Sequence, residues 1–168
     1  IGEPEFMKRV PSLIYMGTLT ENGQRLATEK LSHYKEKLAE MIDGGVRFLV
    51  TGNALEVFGG KIEDTDGSVD MGLGIFPIHA RRDMMHRFNS LYLGSFGGMN
   101  IVGYKSQFTH SWRDDETDDG DFESVFETYR GPGLNPEIKG EGIRKNNFIG
   151  TYVIGPLLVL NPPFAKWL

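Results

Sequence analysis

Leu49-Val-Thr-Gly-Asn-Ala-Leu-Glu-Val-Phe-Gly59 decides the fold, because it changes in one step from strand chemistry to helix chemistry. The apolar run from Arg47 to Val50 reads as a buried strand, Thr51-Gly52-Asn53 as a tight turn, and the residues to Phe58 as a short apolar helix. Nucleophilic Ser and Cys residues sit on such elbows, where a sheet ends and backbone N–H groups stand ready to hold an oxyanion. No nucleophile of that kind is present here, and the whole chain lacks cysteine.

Working outward, Ser12 to Met16 reads as a second buried strand ending at Gly17. Thr18 to Asp43 then reads as one long amphipathic helix. Its apolar stripe is Ala27, Leu31, Tyr34, Leu38, Met41 and Ile42, and Lys30, Lys35, Glu36, Lys37 and Glu40 lie on the opposite face. Gly44-Gly45 stops it. Strand, helix and strand in that order make a parallel pair and predict an α/β protein. From Lys61 the pattern changes to short segments between turn residues at Asp64–Gly67, Gly94–Gly98, Gly131–Gly133 and Gly140–Gly142. Strands are expected over Ile75–Ala80, Arg87–Leu93, Asn100–Tyr104, Ser124–Tyr129 and Asn147–Val153, as an antiparallel extension beside the parallel core. Pro162 to Leu168 predicts a short helix docked through Phe164, Trp167 and Leu168.

At 168 residues the chain predicts a single domain over 1–168 that buries roughly 70% of its unfolded surface. No apolar run reaches the roughly 18 residues of a membrane span. The net charge of −5 argues against nucleic acid as a partner. Without cysteine there is neither a disulfide nor a thiolate metal site, and no signal peptide is visible, so the expected location is cytoplasmic. The chain begins at Ile1 and its first methionine is Met7, which reads either as an appended leader through Phe6 or as a piece of a longer protein.

Three stretches carry a family likeness: Ile14-Tyr-Met-Gly17, the elbow Val50–Gly59, and Gly150-Thr-Tyr-Val-Ile-Gly-Pro-Leu-Leu-Val-Leu-Asn-Pro162. Together they resemble the class I glutamine amidotransferase domain of the cobyric acid synthase type. Within it, they resemble the glutaminase subunit that partners a Mur-ligase-like protein in amidating peptidoglycan precursors. The third stretch is the most specific, matching G-T-Y-x-H-G-P-L-L-x-x-N-P except at the histidine. The resemblance implies a three-layer, flavodoxin-like fold with an antiparallel extension, and a further strand-helix-strand stretch before the residues present here. If that stretch is absent, Ser12 to Met16 becomes an exposed edge and a homo-oligomer is expected.

The resemblance also implies which residues matter. Aligned on Gly59, the family's catalytic cysteine falls on Gly52; aligned on Gly155, its histidine falls on Ile154. A family glutamine becomes Glu56, and the G-Y-E-x-H motif appears as Gly103-Tyr-Lys-Ser-Gln107, with Lys105 and Gln107 in place of acid and histidine. A thioester mechanism needs a thiol and a base, so no catalytic residue is expected. Gly17, Gly52, Asn53, Glu56, Gln107 and Tyr152 are the expected pocket. The reading is a degenerate amidotransferase-like subunit that docks on or regulates a synthetase or Mur-ligase-like partner. The alternatives are an active component of cobyric acid (cobalamin) or cell-wall precursor amidation, and a small-molecule domain using Glu56 and enlarged space at Gly52 to bind an amine or amino acid.

Other residues invite chemistry less strongly. Thr51 is a nucleophile only with a base, and His110 in Thr109-His-Ser-Trp112 is the sole histidine near the motifs; both read first as structural. The acidic run Asp114–Asp121 fails the calcium-loop register, since Phe126 falls where a bidentate Glu is required, and it reads as a solvated loop. Arg81, Arg82 and Arg87 read as an exposed basic loop. No metal and no cofactor are expected.

Overall fold

A computed structural model describes residues 4–114 and 122–168. In chain order the elements are α1 (Glu5–Lys8), β1 (Leu13–Met16), α2 (Glu21–Ser32), α3 (Lys35–Asp43), β2 (Arg47–Thr51) and α4 (Ala54–Val57). Next come β3 (Lys61–Asp64), β4 (Val69–Met71), β5 (Ile78–Arg82), β6 (Phe88–Phe96), β7 (Met99–Gln107) and β8 (Thr109–Arg113). The chain finishes with β9 (Phe126–Arg130), β10 (Gly140–Glu141), β11 (Ile143–Lys145), β12 (Phe148–Thr151), α5 (Leu157–Leu160) and α6 (Pro162–Trp167).

Phe48, Leu49 and Val50 are covered on both faces of β2, which explains their unbroken apolar run. Strand β2 lies between β1 and β12, parallel to both, with Phe48 in register with Ile14 on one side and with Phe148 on the other. Antiparallel β11 closes this first sheet in the order β1-β2-β12-β11. The other two sheets run β10-β9-β6-β7, wholly antiparallel, and β4-β3-β5-β8, with β3 and β5 parallel. Among the described residues the protein is thus mixed α/β with three four-stranded sheets, and the parallel core is three strands wide.

Two expectations about the first fifty residues change. The predicted long helix is two helices: Tyr34 leaves helical geometry (φ −121°, ψ 15°) and its N–H tightens onto the Leu31 carbonyl at 2.8 Å. The break lets α3 bury Leu38, Met41 and Ile42, whereas α2 buries only Gln24. Strand β1 is not buried on both sides. It is the edge of its sheet, with Leu13 42% and Tyr15 64% exposed.

Elsewhere the turn residues act largely as read. The β6–β7 hairpin closes through Gly97-Gly98, both at positive φ (53° and 81°), the pair of left-handed positions that a two-residue type I′ turn needs. Both strands run further than expected, to nine residues each. Strand β5 starts at Ile78 rather than Ile75 because Pro77 has no N–H to contribute to a ladder. Gly140 pairs within β10 instead of turning. Helix α6 docks through Phe164, which is fully buried, with Trp167 stacked on it at 5.9 Å and set edge-on to Phe96 at 4.5 Å. Residues 115–121 of the acidic run lie outside the described residues. Among the described residues, no helix is long and apolar enough to cross a membrane.

Candidate functional site

Strand β2 ends at Thr51 and the chain turns at Gly52, whose φ of +64° suits a residue without a Cβ. Its N–H donates to the Thr151 carbonyl at 2.8 Å, which ties the turn to the end of β12. A Cβ built on Gly52 would overlap Cγ2 of Thr18 and stand 3.3 Å from Cγ2 of Ile154. Ile154 is itself held by its N–H, which donates to the Tyr104 carbonyl at 2.9 Å. The two positions read as lost cysteine and histidine therefore face each other across van der Waals distance. The enlarged space expected at Gly52 is not there: the Thr18 methyl fills it.

The next residue acts as a clamp. Asn53 Oδ1 accepts from the Leu19 N–H at 2.9 Å and its Nδ2 donates to the Leu19 carbonyl at 2.8 Å, pinning the loop after β1 against the elbow. Thr20 begins α2 beside it, with its hydroxyl accepting from the Gly23 N–H at 3.1 Å.

Glu56 points into the protein rather than into a cavity, which corrects its assignment to a pocket wall. Its Oε2 accepts from Gln24 Nε2 at 2.8 Å and its Oε1 from the Tyr152 hydroxyl at 3.1 Å. Tyr152 in turn meets Ser111 Oγ at 2.6 Å. Gln24 Oε1 accepts from Arg82 Nη1 at 3.2 Å, and the Arg82 guanidinium holds Asp64 through two bonds of 2.8 and 2.6 Å and Asp70 through one of 2.7 Å. A hydrogen-bonded chain thus runs from Asp70 through Arg82, Gln24, Glu56 and Tyr152 to Ser111. Burial pushes the Glu56 carboxyl up to about 7, against hydrogen bonds from Gln24, Thr109 and Tyr152 and the charge of Arg82. Burial, and then the nearby Glu56, push the Tyr152 hydroxyl far above its ordinary range. Arg82, expected on an exposed loop, is buried in this network.

Strand β7 sends Ile101, Gly103, Lys105 and Gln107 inward, so Lys105 and Gln107, read from the resemblance as standing in place of an acid and a histidine, are both buried. Lys105 Nζ donates to Glu141 Oε2 and to the Gly133 carbonyl, each at 2.7 Å. Gln107 Nε2 donates to the Thr109 carbonyl at 2.6 Å and lies 3.3 Å from His110 Nδ1, while Gln107 Oε1 is buried with no partner among the described residues. Burial and the charge of Lys105 lower the His110 pKa.

Two cavities meet at the elbow. One of about 500 Å³ is lined by Asn53, Arg82, Arg87, Gln107 and neighbours, and one of about 330 Å³ by Tyr15, Thr51 and residues Gly155–Val159. Thr18 and Ile154 line both. Of the expected pocket residues, Asn53 and Gln107 reach the larger cavity; Gly17, Gly52, Glu56 and Tyr152 do not. Thr51 and His110 line different cavities and do not meet as a nucleophile and base. Thr18 and Gln24 escaped the sequence reading, since a threonine in a loop and a glutamine on a helix carry no signal of their own. Lys105 lies one residue past the expected strand Asn100–Tyr104, so its inward direction was not read from the sequence.

No protein-family model matches the chain. Over 156 residues, 93% of its length, the chain is 28% identical to the lipid II isoglutaminyl synthase (glutamine-hydrolyzing) subunit GatD of Staphylococcus aureus (strain N315). The chain spans about three fifths of the length of that curated relative, 61%. Over that span its sequence is similar to a subunit of a glutamine-hydrolysing synthase.

Proposed function

We propose that this chain is a catalytically degenerate glutamine amidotransferase-like subunit, a class I domain of flavodoxin-like build over residues 1–168. In this reading it docks on and regulates a synthetase or Mur-ligase-like partner acting on peptidoglycan precursors. The observation that carries the reading is that Gly52 and Ile154 face each other: a Cβ built on Gly52 would stand 3.3 Å from Cγ2 of Ile154, in space the Thr18 methyl already fills. Thioester chemistry needs a sulfur at the first position and a proton acceptor at the second, and a hydrogen and a hydrocarbon supply neither. The similarity to a protein described as a subunit supports a role in a complex.

Glutamate release from glutamine tests it, with the Thr18→Ala/Gly52→Cys/Ile154→His variant alongside the natural chain. The natural chain should release no more glutamate than a protein-free blank, and the triple variant should show measurable release. Release by the natural chain above the blank would overturn the proposal.

One observation favours a second reading, a small-molecule domain. Gln107 Oε1 is an unmatched acceptor, and Gln107 lines the 500 Å³ cavity, a combination that suits a ligand bearing an N–H donor. Thermal shift against glutamine and simple amines tests this: a ligand at a hundredfold excess over its Kd adds about 2.7 kcal/mol of stability. No shift by any of them would sink it.

A further inference from the structure

We propose that the outer face of the β5–β8 pair is a binding site for an anion that carries a flat ring, on the scale of a nucleoside monophosphate. Neither Gly52 nor Ile154 lines it, although Arg82, Arg87 and Phe108 are shared with the cavity at the elbow.

The register builds the face. In the antiparallel pairing His79 lies opposite Trp112 and Arg81 opposite His110, while Ala80, Arg82 and Ser111 point inward. The outward set therefore concentrates rings and a cation on one patch of the sheet. The imidazole of His79 stacks on Trp112 (6.0 Å, 16° between planes), and the Arg81 guanidinium lies 5.1 Å from the Trp112 ring centre. In the same cavity, Arg87 lies 4.4 Å from the centre of the Phe108 ring. The open cavity measures about 500 Å³, inside the range of roughly 300–1,000 Å³ common to small-molecule sites.

The charges then decide the ligand's sign. Three carboxylates reach the cavity, and each is held by another side chain. Asp64 is held by two bonds from Arg82, Asp83 by His86 Nδ1 at 2.7 Å, and Glu63 by Lys61, leaving Arg81 at 4.0 Å. Arg87 makes no ion pair among the described residues. Arg81 and Arg87 thus both line the cavity with guanidinium N–H edges to spare. A guanidinium laid on an aromatic face keeps those edges free and fixed in direction, which suits a carboxylate or phosphate. The Trp112 and Phe108 faces offer the stacking surface for the ring.

Trp112 reports on the cavity directly, because the only other tryptophan is Trp167, which packs on Phe96 and Phe164. In a Trp167→Phe background, emission is to be titrated with adenosine monophosphate, 4-hydroxybenzoate, adenosine and inorganic phosphate. At least one of the two ring-bearing anions should change the emission saturably, with adenosine and phosphate each at least about tenfold weaker. Arg81→Ala/Arg87→Ala should weaken the anion at least about tenfold, and an unchanged melting temperature would separate that loss from unfolding. The proposal falls if adenosine or phosphate alone matches the ring-bearing anion, or if the double variant binds as well as its parent. It also falls if neither anion gives a saturable change at millimolar concentration.

Discussion

Lys105 Nζ lies 2.7 Å from Glu141 Oε2, and neither side chain has any exposed surface. Glu141 also accepts through Oε1 from Thr151 Oγ1 at 2.8 Å and from the Tyr152 N–H at 2.7 Å, so the pair joins the antiparallel sheet to the end of β12. Removing one buried partner leaves the other charge without compensation, at a cost of about 3–5 kcal/mol. Lys105→Met should lose that much in urea unfolding, and Lys105→Met/Glu141→Gln should recover a clear part of it. A double variant no better than the single would show that packing, not charge, sets the loss.

The overlap between a Cβ at position 52 and the Thr18 methyl predicts strong coupling. Gly52→Ala should destabilise the chain by steric overlap plus about 1 kcal/mol for a side chain at positive φ. Thr18→Ala should relieve the first term and leave the second. A double-mutant cycle by thermal or urea unfolding is expected to give a coupling between about 0.5 and 3 kcal/mol, and additivity would refute the contact.

Glu56 makes stability depend on pH in an unusual direction for a carboxylate. Its folded pKa of about 7 lies above the ordinary value of 4.5, so between the two the folded chain keeps a proton that the unfolded chain has lost. The stabilisation is complete below about 4.5 and is lost as pH rises through about 7, a change of about 3 kcal/mol. Glu56→Gln should remove this slope. The amide fits the site: Oε1 still accepts from Gln24, and its N–H donates to a Tyr152 hydroxyl that then donates to Ser111. His110, whose pKa is lowered, acts in the opposite sense in both proteins and cancels in their difference. Unfolding free energies from pH 4.5 to 8 for the two proteins supply the test, and parallel curves would reject the assignment.

Asn53→Ala should free the loop after β1. Both bonds to Leu19 disappear, and two lost hydrogen bonds in a half-buried site cost about 1–3 kcal/mol. Hydrogen exchange at the Leu19 amide should speed up more than exchange in β6 and β7. Uniform acceleration would mean global destabilisation instead.

The elbow and the strands around it were legible because their signals are local: an apolar run covered on both faces, then Gly52 at a required positive φ. The helix break at Tyr34 was not, because no proline or glycine marks it and the stripe from Leu31 to Leu38 keeps its spacing through it. The identities of Gly52 and Ile154 stood in the sequence, but whether they meet depended on β2 and β12 pairing across about a hundred residues. Glu56 was misplaced for a related reason: spacing put it on the elbow helix, and only the arrival of Gln24 and Tyr152 from distant elements turned its carboxyl inward. The Arg81, Arg82 and Arg87 cluster looked uniform in sequence, yet strand alternation sends Arg82 into the interior and Arg81 out.

The Thr18 methyl also constrains the order in which this protein can change. A side chain gained at position 52 before position 18 shrinks meets an overlap and a disfavoured backbone angle together, whereas shrinking position 18 first removes the overlap at little expense. Any evolutionary route, or any directed-evolution campaign, that restores a reactive side chain to this elbow must therefore begin in the loop rather than at the elbow itself. Libraries that randomise only Gly52 and Ile154 will draw from a population already depleted of folded members.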